Sequence, residues 1–393
     1  MGQLPRARPD PPRLLQHRRR PRSRHDHRGH GRLRDADRRP PHRRRRRRGR
    51  APARARDRQP PRTAPATQRV HGRPPRREHP RLGPPRPHRR PVRPRDRRRG
   101  RLAHRLDRAV IDRFFAPLGA RAHAHIRDLA DGRGIGVRED EPVILVSVVK
   151  LFIAWEFRRQ VAEGLVDPAA MIRVTAADRL GGTGTAGFLH DAQISVWDLA
   201  ALMMEVSDNS AADLVARHIG LGSLRSLPAR AGLKRTRLIG SPRTILEEVA
   251  KDLGIADLEA LAHVLDSGSV STAELRATSA WDPHRTNVST PADLTAFLRQ
   301  VWNGPADVAA DMRTWMRRQL TGGRLSRLAP SEVVVHGRSG SLPGWLNEVA
   351  VWEWPDGRRH AIAVFAQPTR RNFREIERAM SRAALALTDA ISQ

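Results

Sequence analysis

The amino-acid composition changes abruptly near residue 100, and this change limits where a folded domain can lie. Residues 1–100 contain 37 arginines, no lysine, 7 acidic residues and no Phe, Trp or Tyr. Such a segment cannot bury enough apolar surface to offset the entropy lost when its backbone is ordered. We therefore expect residues 1–102 to be a disordered Arg/Pro-rich extension and residues 103–393 to form one folded domain.

Two interpretations of this extension stay open. A polybasic tail would bind polyanions by neutralising phosphates, with a strong dependence on salt. Alternatively, a misplaced start or a wrong reading frame in a GC-rich gene would give Arg, Pro, His, Gly and Ala without Lys or aromatic residues. We favour the second, because genuine basic tails usually mix Lys with Arg. The remaining 293 residues carry 37 basic and 34 acidic groups, so we do not expect the folded domain to bind nucleic acid.

Residue content also limits the chemistry and the location of the chain. It has no cysteine, which excludes disulfides and thiolate chemistry. No run reaches the roughly 18–20 apolar residues of a membrane span, and the N-terminus lacks the apolar core of a secretory signal. The histidines do not follow a metal-ligand spacing, and 181-GGTG-184 lacks the lysine of a phosphate-binding loop. We therefore expect neither a metal nor a nucleotide cofactor.

The hydrophobic spacing after residue 103 indicates an α+β fold. Helices are expected at both ends, over 104–118 and 371–391, and the segment from 143 to about 328 is expected to be mostly helical. Strands are expected at 122–127, 134–139, 331–335, 346–354 and 359–367. This order predicts an antiparallel five-stranded sheet flanked by the N- and C-terminal helices, with an inserted all-α lobe.

The first motif, Ser147-Val-Val-Lys150, opens an apolar run on a predicted helix. Residues three apart share a helix face, so the Lys150 amine can contact the Ser147 hydroxyl and, with a depressed pKa, accept its proton. The chain has 3 lysines against 71 arginines, and lysine can be deprotonated where arginine cannot. The alternative is an N-cap serine followed by a surface lysine.

The second motif, Ser207-Asp208-Asn209, follows an apolar helix. A serine there can relay a proton to a leaving group, and an asparagine can hold both a lysine and a substrate amide. A turn or a helix N-cap is the alternative, since these residue types are common in both.

The third motif, Arg338-Ser339-Gly340, lies in 334-VVHGRSGSLPG-344, which is typical of a strand ending in a glycine-rich turn. Gly337 and Gly340 would let a ligand approach the backbone, and Arg338 offers a cation for a substrate carboxylate. An exposed arginine in a β-turn is the alternative.

The three motifs, taken in this order, resemble those of the class A β-lactamase and penicillin-binding-protein family, with Arg-Ser-Gly where the family has Lys-Thr-Gly. Further segments that resemble the family are 181-GGTG-184, 193-QISVWDLAALMMEVSDNSAADLV-215, 289-STPADLTAFL-298 and 320-LTGGRLSRL-328. The resemblance extends over nearly all of residues 103–393.

This resemblance implies a serine hydrolase without a cofactor, which forms an acyl-enzyme on β-lactams or related amides and esters. Ser147 would be acylated, Lys150 would be the base or its partner, and Ser207 would shuttle the proton. The resemblance further implies a small-molecule substrate and export from the cell, and we expect a monomer. A DD-peptidase or an esterase with slow deacylation is the alternative enzyme, and a polyanion-binding protein is the alternative of another class.

The same resemblance supplies the expected binding residues. Asn209 would bind the substrate amide side chain, and the Arg338-Ser339-Gly340 triplet would contact a carboxylate through Arg338 and Ser339. The backbone N–H groups of Ser147 and Ser341 would form the oxyanion hole.

The sequence departs from the family in one loop. Class A β-lactamases place a glutamate shortly after an Arg-Leu pair, and this glutamate activates the water that removes the acyl group. Here 236-TRL-238 is followed by 239-IGSP-242, and the stretch 239–288 is longer than the family's loop, with two predicted helices. Four carboxylates in this stretch could replace the missing glutamate, but each is more typical of a solvated charge on a helix or loop. They are Glu247, Glu248, Glu274 and Asp282.

Overall fold

The computed structural model describes residues 108–321, 323–370 and 372–393. The basic extension, and with it the expectation of disorder over 1–102, lies outside the described residues. Within those residues, no helix combines the length and apolar character that crossing a membrane requires.

The domain contains eleven helices and nine strands among the described residues. The helices are α1 (Arg108–Phe115), α2 (Lys150–Ala162), α3 (Val196–Glu205), α4 (Asn209–Ile219), α5 (Leu221–Arg230), α6 (Pro242–Asp252), α7 (Leu258–Asp266), α8 (Thr272–Arg276), α9 (Pro291–Trp302), α10 (Ala306–Arg317) and α11 (Phe373–Ser392). The strands are β1 (Ala120–Asp128), β2 (Gly134–Val137), β3 (Val143–Ile144), β4 (Met171–Val174), β5 (Ala192–Ser195), β6 (Val288–Ser289), β7 (Val334–Leu342), β8 (Trp345–Glu353) and β9 (Arg359–Pro368).

The main sheet has the strand order β2-β1-β9-β8-β7, and all four neighbouring pairs are antiparallel. This confirms the predicted five-stranded antiparallel sheet. The central strands are buried on both faces. Successive side chains along β8 point to opposite faces of the sheet, and each face is covered. Val349 and Val351 pack toward the helical lobe, whereas Ala350 and Trp352 pack toward the terminal helices α1 and α11. The sheet therefore separates two hydrophobic cores, and the predicted α+β architecture is confirmed.

Three details differ from the sequence predictions. Helix α1 ends at Phe115 and continues as a short 3-10 turn, because Pro117 interrupts the α-helical hydrogen bonding. Strand β7 begins at Val334 and not at residue 331, and it runs through the third motif before turning at Pro343-Gly344. The helical lobe also contains two short antiparallel pairs, β3 with β6 and β4 with β5, which were not predicted.

Candidate active site

Ser147 lies where the main sheet meets the helical lobe. It is half-buried in the 3-10 turn Val146–Val149, which leads directly into α2. Val146 has a φ of 50°, in the left-handed region that β-branched residues rarely adopt. A backbone in this region persists only when its surroundings hold it, and such positions cluster at reactive sites. The turn thus presents Ser147 in a fixed, locally strained position.

Strand β7 supports this turn from one side. A Cβ on Gly340 would lie 2.9 Å from the Ser147 backbone nitrogen and 3.1 Å from the Val146 Cβ, so only glycine lets the strand pass this close. On the neighbouring strand, Asn347 Nδ2 donates to the Ile144 carbonyl at 2.8 Å. Gly340 therefore lets the turn that carries Ser147 pack closely against the strand. The ligand approach expected from the sequence stays a prediction.

Lys150 is fully buried beneath Ser147. Its Nζ lies 3.1 Å from Ser147 Oγ and 3.1 Å from Ser207 Oγ, and it also lies 2.8 Å from the Ser207 carbonyl and 2.7 Å from Asn209 Oδ1. The structure thus brings the first and second motifs together around one amine. The alternative of a surface lysine is wrong, because no part of this side chain reaches solvent.

The environment of Lys150 favours the neutral amine. Burial lowers the pKa of Lys150 well below its usual range, and the positive charge of Arg338 lowers it further, while the Asp208 carboxylate opposes both effects. A neutral amine has a lone pair and can accept the proton of a hydroxyl at hydrogen-bond distance. Lys150 is therefore equipped to take the proton of Ser147.

Ser207 connects the first motif to the third. Its hydroxyl donates to Ser147 Oγ at 3.2 Å and accepts from Arg338 Nη2 at 2.7 Å. A guanidinium can only donate, so this contact leaves the Ser207 proton directed at Ser147. Ser207 has a φ of 64°, which is again left-handed backbone for a residue other than glycine.

Arg338 is fully buried in the middle of β7, so the alternative of an exposed arginine in a turn is wrong. Besides Ser207, it donates from Nε to the Ser147 carbonyl at 3.1 Å. Burial lowers the pKa of Arg338 to about 9, and the buried Glu348 carboxylate opposes the shift, so the guanidinium stays charged at neutral pH. Its expected contact with a substrate carboxylate stays a prediction.

Asp208 fixes the second motif. It is fully buried, caps helix α4 by accepting from the Ala211 N–H at 2.9 Å, and accepts from the Thr185 N–H at 2.6 Å. Gly184, at the end of the 181-GGTG-184 loop, packs directly against this carboxylate, since a Cβ there would collide with it. The N-cap alternative for this motif is thus correct for Asp208, while Ser207 and Asn209 face Lys150.

Two residues that the sequence analysis missed hold the third motif. Gln319 Oε1 accepts from Arg338 Nη1 at 3.1 Å and from the Ser339 backbone N–H at 2.7 Å. Arg324 Nη2 donates to Ser341 Oγ at 2.6 Å. Both act through tertiary contacts from the segment before β7. No motif marks Gln319, and Arg324 lies in 320-LTGGRLSRL-328, to which the sequence analysis gave a resemblance but no role.

A cavity of about 350 Å³ opens beside Ser147. Four of the predicted site residues line its polar end, namely Ser147, Lys150, Asn209 and Ser341. The other predicted site residues, Ser207 and the Arg338-Ser339-Gly340 triplet, do not line it. Its other wall comes from α6, α7, α8 and the short 3-10 turn Ser279–Trp281. The apolar side chains of that wall are Ile245, Leu246, Val249, Leu265, Leu275, Ala280 and Trp281.

None of the described residues that line this cavity is acidic. Of the four carboxylates considered from the sequence, Glu274 caps its own helix through Ser271, and Glu248 lies 3.7 Å from Arg285. Glu247 is exposed on α6, and Asp282 accepts from a neighbouring backbone N–H in its own loop. In the part of the chain that the structure describes, no cluster of three or more His, Asp or Glu could hold a metal ion.

An antiparallel sheet with a helical lobe, and a half-buried serine above a buried lysine where they meet, define the class of β-lactamases and penicillin-binding proteins. Comparison with known proteins agrees. The model of the beta-lactamase enzyme family matches residues 106–391, and the chain belongs to that family.

A curated relative and several solved structures resemble the chain. The "Beta-lactamase regulatory protein BlaB" of Streptomyces cacaoi is 27% identical over 260 residues, which cover 62% of this chain and 83% of that protein. A β-lactamase from Sphaerobacter thermophilus has a TM-score of 0.58 at 21% identity, covering 72% of this chain and 96% of its own. One from Xanthomonas campestris has a TM-score of 0.58 at 22% identity, covering 72% and 97%. At these identities the solved structures show the fold alone.

Proposed function

We propose that this chain is a serine hydrolase that forms an acyl-enzyme at Ser147 with β-lactams and related amides or esters. The observation that carries the proposal is the buried Lys150 amine, 3.1 Å from Ser147 Oγ and with a strongly lowered pKa. In the first step, the Ser147 oxygen bonds to the substrate carbonyl carbon while Lys150 takes the hydroxyl proton. The C–N or C–O bond then breaks, and Ser207 delivers a proton to the leaving nitrogen or oxygen.

The binding roles follow from the same arrangement. The backbone N–H groups of Ser147 and Ser341 serve as the oxyanion hole, because β7 passes directly along the nucleophile turn. Asn209, which lines the cavity, binds a substrate amide. The buried charge of Arg338 favours a substrate that carries a carboxylate, although Arg338 and Ser339 do not line the cavity.

Deacylation is proposed to be slow for β-lactams. After the ring opens, the amine stays tethered and occupies the Ser207 side of the acyl group, so water must attack from the opposite side. That side is the acid-free wall of the cavity, where no carboxylate is available as a general base.

This acid-free wall also favours a second candidate, a DD-peptidase or esterase that is inhibited by β-lactams. Its natural leaving group departs after acylation, which opens the Lys150 side of the acyl group to water. A long-lived β-lactam adduct would equally suit a sensor, and the name of the Streptomyces cacaoi relative, a regulatory protein, is consistent with that use.

The test is intact-protein mass spectrometry with benzylpenicillin, followed by peptide mapping, on the wild-type chain and on Ser147→Ala. We expect one adduct with the full mass of the drug, located on the peptide that contains Ser147 and missing in the variant. An adduct that survives in Ser147→Ala would contradict the assignment. So would a chain that forms no adduct and hydrolyses neither the drug nor a simple ester.

A further inference from the structure

The cavity beside Ser147 is built by a segment that folds around its own small core. Helices α6 and α7 and the turn Ser279–Trp281 share a cluster of buried apolar residues separate from the two cores beside the sheet. Asn287 closes the base of this segment, because its Oδ1 accepts from the Ile239 N–H at 2.8 Å and its Nδ2 donates to the Gly240 carbonyl at 3.0 Å. The segment 241–286 is therefore a defined structural unit.

The segment is also fixed to the rim of the active site. Trp281 Nε1 donates to the Pro343 carbonyl at 2.9 Å, which ties the segment to the turn between β7 and β8. Both Pro343 and Trp281 line the cavity together with Ser147. The apolar wall thus stands at a set position relative to the nucleophile.

The polarity of the cavity is strongly divided. Ser147, Lys150, Asn209 and Ser341 supply hydroxyl, amine and amide groups at one end, and Thr286 and Asn287 add polar groups at the base of the segment. Helices α6, α7 and α8 contribute aliphatic side chains, and the turn Ser279–Trp281 contributes Trp281. An open apolar cavity of this size is suited to an apolar group, because moving that group out of water is favourable in proportion to the area buried. A carbonyl carbon attacked by Ser147 would have its substituent directed along this wall.

We propose that the group transferred to Ser147 carries a medium-length alkyl chain or an aromatic ring that fills this cavity, so that the natural substrate is a lipophilic ester or amide. This inference rests on the acyl-enzyme proposed above and adds its substrate class. The reaction is balanced by water: the Ser147–acyl bond forms as the alcohol or amine leaves with a proton, and water then releases the carboxylic acid and restores the Ser147 hydroxyl.

The test compares kcat/KM for p-nitrophenyl acetate, butyrate and octanoate in the wild type and in two variants of α6. Leu246→Trp fills the cavity, and Glu247→Trp places the same side chain on the exposed face of the helix. Each buried methylene contributes about threefold to fourfold, so we expect octanoate to exceed acetate by about 10²-fold or more in the wild type. Leu246→Trp should bring the ratio of octanoate to acetate close to one, and Glu247→Trp should keep the wild-type ratio. Leu275→Trp, from α8, repeats the test if Leu246→Trp does not fold.

A binding measurement separates this inference from the proposed chemistry. Calorimetry on Ser147→Ala should show octanamide binding more tightly than acetamide, and Leu246→Trp in the same background should abolish the difference. Acylation of Ser147 with no dependence on chain length would overturn the apolar substrate while leaving the hydrolase in place. Tight octanamide binding without acylation by any ester or penicillin would support the apolar site and overturn the hydrolase.

Discussion

The two walls of the active-site cavity differ in almost every physical respect. One wall, here called the polar wall, is lined by Ser147, Lys150 and Asn209. Hydrogen bonds of 2.7–3.2 Å connect these residues to one another and to Ser207 and Arg338, which do not line the cavity. The other, the apolar wall, is the cavity-facing side of α6, α7, α8 and the turn Ser279–Trp281, and it has no acidic residue among those described.

This difference indicates which half of a hydrolytic cycle the site is built for. Acylation needs a base for the serine proton and a donor for the leaving group, and these are the roles proposed for Lys150 and Ser207. Deacylation of a tethered β-lactam product needs a base on the opposite side, and the apolar wall supplies none. The difference between the walls is therefore consistent with the proposed acyl transfer to Ser147 and with the proposed recognition of an apolar group.

The largest expected effect tests the polar wall through Lys150. Lys150→Arg keeps a positive charge but cannot accept a proton, so the acylation rate with benzylpenicillin should fall by about 10²–10⁴-fold. Rapid-quench mass spectrometry measures the acylation rate. Lys150→Met also lacks a base, so its acylation rate should fall by the same factor. Near wild-type acylation in Lys150→Arg, with an unchanged melting temperature, would show that the amine is not the base.

The next effect concerns the anchor of the apolar wall. Asp213 is buried and accepts from Ser241 Oγ at 2.6 Å and from Arg243 Nε at 3.0 Å, where α6 begins. Asp213→Ala leaves these donors unpaired and should lower the free energy of unfolding by about 3 kcal/mol, as measured by urea denaturation. It should also weaken the chain-length preference for esters. Unchanged stability would mean that this carboxylate does not hold the segment.

A smaller effect is expected where the strand meets the nucleophile turn. The added methyl group of Gly340→Ala would press on the Ser147 backbone nitrogen, costing about 1–3 kcal/mol in stability and slowing acylation. Gly222→Ala, in α5, is the matched control, since a Cβ there would meet nothing within 4 Å. Equal behaviour of the two variants in thermal melting and in acylation would contradict the close fit.

The smallest expected effect is a displacement of the pH profile. The pKa of Lys150 is lowered, so the acylation rate should rise with pH as the amine loses its proton, at a pH well below the ordinary value of 10.5. Arg338→Gln removes a cation that disfavours the ammonium form, and its profile should move to higher pH. Arg338→Lys keeps the cation and should leave the profile in place. A shift to lower pH in Arg338→Gln would reverse the proposed electrostatics.

The sequence predicted those features that depend on local spacing. Apolar runs bounded by turn residues predicted the central strands, because β8 and β9 face a core on each side. Helical spacing placed Lys150 on the same face as Ser147. Local spacing did not predict the residues and backbone conformations that hold the site residues in position. Gln319 and Arg324 act across the fold, and the left-handed backbone of Val146 and Ser207 follows from tertiary packing and not from residue type. The position of the apolar wall depends on the Trp281–Pro343 hydrogen bond, which joins two distant segments.

The lifetime of the benzylpenicillin adduct shows whether the site, once acylated at Ser147, lacks a base for release of the tethered product. A protein of residues 101–393 is incubated with benzylpenicillin until Ser147 is acylated. Free drug is then removed, and the intact mass of the protein is followed over hours. We expect the Ser147 adduct to remain with little loss, while p-nitrophenyl octanoate is turned over repeatedly by unmodified protein. An adduct that disappears within minutes as hydrolysed penicillin accumulates would show that a base for deacylation is present, and it would contradict the account.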